Sequence, residues 1–177
     1  MNTFEELEQQ KVEILALIAS WPPSLLDFRP AENEWSAIEV LDHIVRAEAG
    51  IIALAQRGLS KPHAIGIRDR LGYAFLGKVF QTDRKVGVPR SAKMILPDRQ
   101  ATLPDVCARW DESRVQLAAL LSDAAPEHDR MGIFRHPVSG WMTMPQLVHF
   151  FWLHVHHHRF QFERLKAAST KSLAAGG

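Results

Sequence analysis

The chain has 177 residues, of which 21 are basic and 20 acidic, so its formal charge is +1. That balance excludes nucleic-acid binding through general phosphate attraction and also a polybasic membrane anchor. With 46% hydrophobic and 23% charged residues the chain is expected to fold rather than remain disordered, around the core of a single domain.

Cys107 is the single cysteine, so no internal disulfide can form. The opening segment MNTFEELEQQKVE has no apolar signal core, and no stretch approaches the ~20 apolar residues of a membrane span. A cytoplasmic location is the expectation.

Thr3 and Glu6 have the spacing of a capping box, in which each side chain accepts a backbone amide hydrogen of the other. Phe4, Leu7, Ile14 and Ile18 then form a helical stripe, which predicts a first helix over about 4–20. Trp21-Pro22-Pro23 ends it. Ser36 and Glu39 repeat the capping box, and the apolar half-wheel from Val40 to Ala55 predicts a second helix over about 37–57, closed by Gly58.

Residues 58–103 carry scattered Gly and Pro, Pro89 among them. They predict a long connection with one short helix near 68–82, marked by Leu71, Phe75, Leu76 and Val79. Thr102-Leu103-Pro104-Asp105 opens a third long helix with Val106, Trp110, Leu117, Leu120 and Leu121 on its apolar face. Thr143-Met144-Pro145-Gln146 opens a fourth, running to about 167, before a small, polar and flexible tail over 167–177. No stretch sustains two-residue alternation, so no strand is expected. Four long amphipathic helices make an all-α four-helix bundle with a long crossover, one domain over residues 1–166.

The nine histidines are the unusual feature. On the last helix His154 and His158 lie about 40° apart on the wheel, one turn above the other, in the sector of Leu147, Phe151 and Leu165. His149 and His156 fall on the opposite side with Glu163, facing water, and His157 falls on a flank with Gln161 and Arg164. Two imidazoles one turn apart can chelate one ion, but a neutral, hydrogen-bonded core pair has the same spacing. His43 sits at the rim of the second helix's apolar half, where it reads either as a boundary residue or as a third ligand. Glu48 falls in the middle of that apolar half, where an unpaired carboxylate is costly. It is expected to pair with Arg159 or Arg164, or else to orient a ligand imidazole. Glu39 is accounted for by its cap.

Three segments together resemble the DinB-like (damage-inducible) metal-binding four-helix proteins. They are Glu34-Trp35-Ser36-Ala37-Ile38-Glu39-Val40-Leu41-Asp42-His43-Ile44, His136-Pro137-Val138-Ser139-Gly140-Trp141-Met142-Thr143, and His154-Val155-His156-His157-His158-Arg159-Phe160-Gln161. The resemblance implies a bundle with a long crossover and a divalent ion held by His43, His154 and His158, the last two being the pair that the wheel selects. His157 and Gln161 are similar to family positions that are not ligands, and His156 is an addition. Characterised relatives include thiol-dependent transferases and isomerases that use low-molecular-weight thiols.

An ion held by three neutral imidazoles keeps open positions, where it acidifies water or thiol. All-nitrogen ligation favours Zn or Ni, then Fe, Co or Mn, over Mg or Ca. The expected function is a metal-dependent thiol S-transferase-like enzyme or hydrolase acting on a small molecule. His157 is then the candidate helper beside the ligands, and Trp35 and residues 136–141 line the mouth. The alternatives are a metal- or ligand-binding protein with a structural ion, and an interaction module, a homodimer through exposed helix faces. No G-x-S-x-G, G-x-G-x-x-G or P-loop is present.

Overall fold

Capping chemistry sets the start of each long helix. The structure, a computed structural model, describes residues 3–88 and 90–175. Pro89 and the final residues 176–177 of the expected tail lie outside the described residues. Helix α1 (Phe4–Ala19) begins where Thr3 Oγ1 accepts from the Glu6 amide (3.2 Å) and Glu6 Oε2 accepts from the Thr3 amide (2.7 Å). It buries Leu7, Ile14 and Ile18 as the stripe requires. The prolines that end it also start another element: Pro23 occupies the first turn of α2 (Pro23–Leu26), where the missing amide leaves no partner unsatisfied.

Helix α3 (Ala37–Gly58) starts at the Ser36–Glu39 capping box, with bonds of 3.3 and 2.8 Å. Its first nine residues, from Ala37 to Val45, are all buried, because other elements cover it on every side. Gly58 closes the helix as expected, and the surroundings show why it is a glycine. It is the last helical residue, and a Cβ there would lie 1.8 Å from the Ile133 carbonyl oxygen. Its hydrogen is what lets the chain pass.

The crossover contains β1 (His63–Ala64), α4 (Ile67–Phe80) and a 3-10 turn (Arg90–Ile95). The expected α4 stripe is only half correct. Leu76 and Phe80 are buried, while Leu71 and Phe75 are 65% and 60% exposed. A short helix held by one narrow contact line buries i, i+4 partners and leaves the rest of its surface to solvent.

Helix α5 (Leu103–Asp123) follows the Thr102 cap and buries Val106, Trp110, Leu117 and Leu120. Helix α6 (Met144–Ala175) starts where Thr143 and Gln146 cap each other, and it continues past the expected end near 167.

Strands are present, contrary to expectation. β1 pairs antiparallel with β2 (Met131–Gly132), and β3 (Phe134–His136) forms a hairpin with β4 (Gly140–Met142), turned at Gly140 with φ +80°. Elements of two or three residues are too short for alternation to register.

The fold is an all-α bundle of α1, α3, α5 and α6, with the crossover spanning α3 to α5. Helix α3 packs most extensively on α5 and also on α6, and α1 packs on α6. Two apolar clusters fill it. On α6 one cluster ends at Leu153 and the other resumes at Val155, so His154 stands at their junction. No helix among the described residues is long and apolar enough to cross a membrane.

Glu48 corrects a second expectation. It is fully buried, but it accepts from Trp110 Nε1 (3.0 Å) and Arg114 (2.9 Å) on α5 rather than pairing with Arg159 or Arg164. Arg159 lies near exposed Glu163, and Arg164 donates to the Asp83 carbonyl. Burial pushes the Glu48 carboxyl up, against the opposing pull of Arg114 and Trp110. The residue fastens α3 to α5 and bonds to no histidine.

Glu48→Ala leaves the buried Arg114 guanidinium only its longer contact with Glu8 (3.5 Å) and is expected to lower stability by about 3 kcal/mol in chemical denaturation, with metal affinity unchanged. Gly58→Ala is expected to cost about 1–3 kcal/mol by the same measurement, since the Ile133 backbone must move.

Candidate metal centre

His43 on α3 and His154 and His158 on α6 are all buried, with 3%, 6% and 6% exposure. One nitrogen from each lies within 4.8 Å of the others. His154 Nε2 and His158 Nε2 are 3.1 Å apart. The ring centroids are 4.7 to 5.2 Å apart. Nitrogen donors around a tetrahedral ion lie about 3.3 Å from one another, so small ring rotations bring all three to a common point.

Hydrogen bonds decide which nitrogen each ring presents. Nδ1–H of His43 donates to the Ile95 carbonyl (2.8 Å), because a carbonyl can only accept. Nδ1–H of His158 donates in the same way to the Gln161 side-chain oxygen (2.9 Å). Each bond leaves an Nε2 lone pair directed at the cluster, the arrangement that fixes tautomer and orientation in metal-binding histidines. His154 Nδ1 is buried without a partner. Its ring is held instead between Phe80 and Phe150, at 5.8 and 5.7 Å.

Burial disfavours the imidazolium form and pulls His43 below its ordinary value and His154 and His158 well below theirs. Three neutral imidazoles therefore face one point at neutral pH; the bare His158 Nε2 accepts from His154 Nε2–H, a proton that a cation would displace. Their chemistry and placement fit a divalent cation.

Asp42 anchors the chain three residues beyond Ile95. It accepts from the Asp98 amide (2.7 Å) and Arg46 Nε (2.7 Å) and pairs with Arg109 (2.6 Å). Burial alone would raise its pKa, but the Asp98 amide and the two guanidinium groups outweigh it and hold the carboxyl below its usual range. The same carboxylate thereby ties the segment following the 3-10 turn to α3, one residue from His43.

The cluster lies in the wall of a cleft of about 540 Å³, within the range of small-molecule sites. Phe80, Phe134, Phe150 and Leu165 make its walls apolar, and exposed Leu54, Val86 and Met94 mark where it reaches solvent. Trp35 lines it and packs on His43 at 4.9 Å. His157, Gln161 and Arg164 line it too, as their shared flank on the wheel implies. His157 stacks on Phe80 at 5.0 Å, and its Nδ1 has no partner. Its ring is 5.4 Å from that of His158, with no hydrogen bond between them.

Of the residues expected at the mouth, His136 and Pro137 line the cleft, while Trp141 turns away and stacks on His63 at 3.8 Å. His149 and His156 are half-buried rather than water-facing. His149 bonds the Tyr73 hydroxyl at 2.7 Å, and His156 stacks on Trp152 at 5.1 Å. Helix α6 is covered by α1 and α4 as well as α3, so its polar face is narrower than a two-sided wheel implies.

Sequence reasoning missed Asp42, Phe80, the Ile95 carbonyl and the role of Gln161. Only Gln161 left a signal, three residues after His158. A backbone carbonyl 52 residues from its imidazole leaves none.

The fold and the cluster define a class: helical bundles in which two helices bring three imidazoles to one point inside the core. The chain belongs to the DinB superfamily, which it matches over residues 6–162. Among solved structures it is similar to TT2238, described as a four-helix bundle protein, at 19% identity and a TM-score of 0.57, over 93% of this chain and 99% of that one. That likeness shows the fold alone. No curated protein matches the chain.

Gln161→Leu removes the oxygen that fixes the His158 ring. It is expected to weaken zinc binding at least tenfold in a chelator-competition titration, at the lower end of about 10–100-fold for such partners, with the helical circular dichroism unchanged.

Proposed function

We propose that this protein is a metal-dependent enzyme acting on a small molecule, of the thiol S-transferase-like or hydrolase type, with His43, His154 and His158 as the ligands. One observation carries this reading. The three imidazoles stand in the wall of a cleft that reaches solvent, and no fourth His, Cys, Asp or Glu among the described residues joins them. A structural staple closes its ion with four protein ligands, whereas a catalytic site keeps a position open.

A divalent ion held by three neutral imidazoles acidifies a coordinated water or thiol and polarises a substrate carbonyl. All-nitrogen ligation favours Zn or Ni, with Fe, Co or Mn next. The chain's own residues supply the rest. Ile95 and Gln161 hold the His43 and His158 rings in the tautomer that leaves Nε2 unprotonated. Phe80, Phe134 and Phe150 exclude water from the wall of the cleft. His157, its imidazolium form disfavoured by burial, lines the same wall, with Nδ1 buried and unpartnered. The cleft is large enough for an electrophile together with part of a low-molecular-weight thiol.

Elemental analysis of the purified protein is expected to find close to one divalent ion per chain, or to find it after reconstitution. A screen of electrophiles and esters, with and without small thiols, is expected to reveal turnover that falls at least a hundredfold in His43→Ala together with the bound metal. If wild-type protein takes up no metal, the reading fails. If it binds metal but turns over nothing in either arm, a structural ion replaces the enzyme reading.

A further inference from the structure

His136 ends β3 opposite Gly140, and its ring is fixed from both sides. On one side Nδ1 accepts from two backbone amides, those of Val138 and Ser139, each at 3.2 Å. An amide can only donate, so Nδ1 carries no hydrogen, and the proton of the neutral ring is on Nε2. The turn that imposes this is itself clamped. Asp69 Oδ1 on α4 accepts from the Trp141 amide (2.9 Å), and Gly72 passes so close to Ser139 that a Cβ would lie 2.7 Å from its carbonyl oxygen. Gly140 takes the left-handed conformation that the tight return needs.

On the other side the His136 ring packs on Phe150 at 5.1 Å and lines the cleft. The same Phe150 ring stacks on His154 at 5.7 Å and 12°. His136 and a member of the triad are therefore held against one phenyl ring, on one cavity. Among the described residues none accepts from His136 Nε2. Two of the cationic side chains on the cleft are engaged elsewhere, Arg164 with the Asp83 carbonyl and Lys85 with Glu34, and the third, Arg135, is exposed.

We infer that His136 is a catalytic hydrogen-bond donor of the cleft, its Nε2–H meeting the carbonyl or carboxylate oxygen of a molecule bound against the histidine triad. The inference rests on the metal-site reading above and deepens it by naming a substrate class: a molecule with an apolar body and an acceptor oxygen at its reacting end. Burial holds the His136 imidazole down to about 4, so near neutral pH it donates and does not act as a base. A neutral donor fixed before the substrate arrives needs no reorganisation as negative charge grows on the oxygen.

Two measurements test this on the full chain. Long-range proton–nitrogen correlation spectra of histidine-labelled protein at pH 7 are expected to show His136 protonated on Nε2 and bare on Nδ1. A proton on Nδ1, or an imidazolium, overturns the inference. Benzohydroxamate, an aromatic chelator with a carbonyl oxygen, is then titrated calorimetrically into zinc-reconstituted wild-type protein and His136→Asn. The asparagine oxygen can still accept the two turn amides, but nothing replaces Nε2–H.

The expected result is unchanged zinc affinity and about tenfold weaker benzohydroxamate binding in the variant, the loss of one charge-assisted hydrogen bond. Equal benzohydroxamate affinity overturns the inference while leaving the metal site standing. If the variant misfolds, the Nε2 resonance of wild-type His136 is followed instead. It is expected to shift on adding benzohydroxamate, and a stationary resonance overturns the inference. Wild-type protein that binds no zinc overturns the metal reading first, in the zinc titration, and removes the partner proposed for His136.

Discussion

Three desolvated imidazoles between α3 and α6 constrain the rest of this structure. A buried polar ring needs a partner for each nitrogen, and apolar side chains of similar size would fill the same space without that demand. The demand is met in part by the protein and in part left open. Ile95 and Gln161 take the Nδ1 hydrogens of His43 and His158, and what remains is a set of nitrogens turned towards one another. A core selected for stability alone has no use for that arrangement. A core that must present neutral donors to a cation requires it.

The crossover serves the same end. A four-helix bundle with short loops would leave the triad sealed by a fourth contact line or bare to solvent. Here Phe80 from the end of α4 stacks on His154 and His157, and the 3-10 turn brings a carbonyl to His43. The β3–β4 hairpin adds His136 to the same cleft. Asp42 secures one part of this frame, fastening the segment beyond the turn to the helix that carries His43. The buried Glu48–Arg114–Trp110 contacts hold α3 to α5 and stand apart from the site.

Much of the helical frame is legible in the sequence because its signals are local. The capping boxes at Thr3 and Ser36, and the Thr102 and Thr143 caps, mark helix starts to within a residue or so, and the i, i+4 spacing of His154 and His158 fixes a shared face. Local signals also fall short. Gly58 reads correctly as a helix end, but the reason for a glycine there is the Ile133 backbone, which no sequence window contains. Leu71 and Phe75 carry an apolar stripe that the fold leaves exposed. Glu48 is correctly marked as a buried carboxylate, but its partner is chosen by the packing of α5, not by charge alone. The hairpin is invisible because each strand is shorter than one detectable period. Pairing across long separations, not residue type, is what the sequence withholds.

The proposal that His43, His154 and His158 share one cation is tested most directly by X-ray absorption at the K-edge of zinc-reconstituted protein. The expected spectrum has three imidazole nitrogens at about 2.0–2.1 Å, with the multiple scattering of three rings and the remaining coordination made by light atoms. A sulfur shell, or scattering from fewer than three imidazoles, would contradict it.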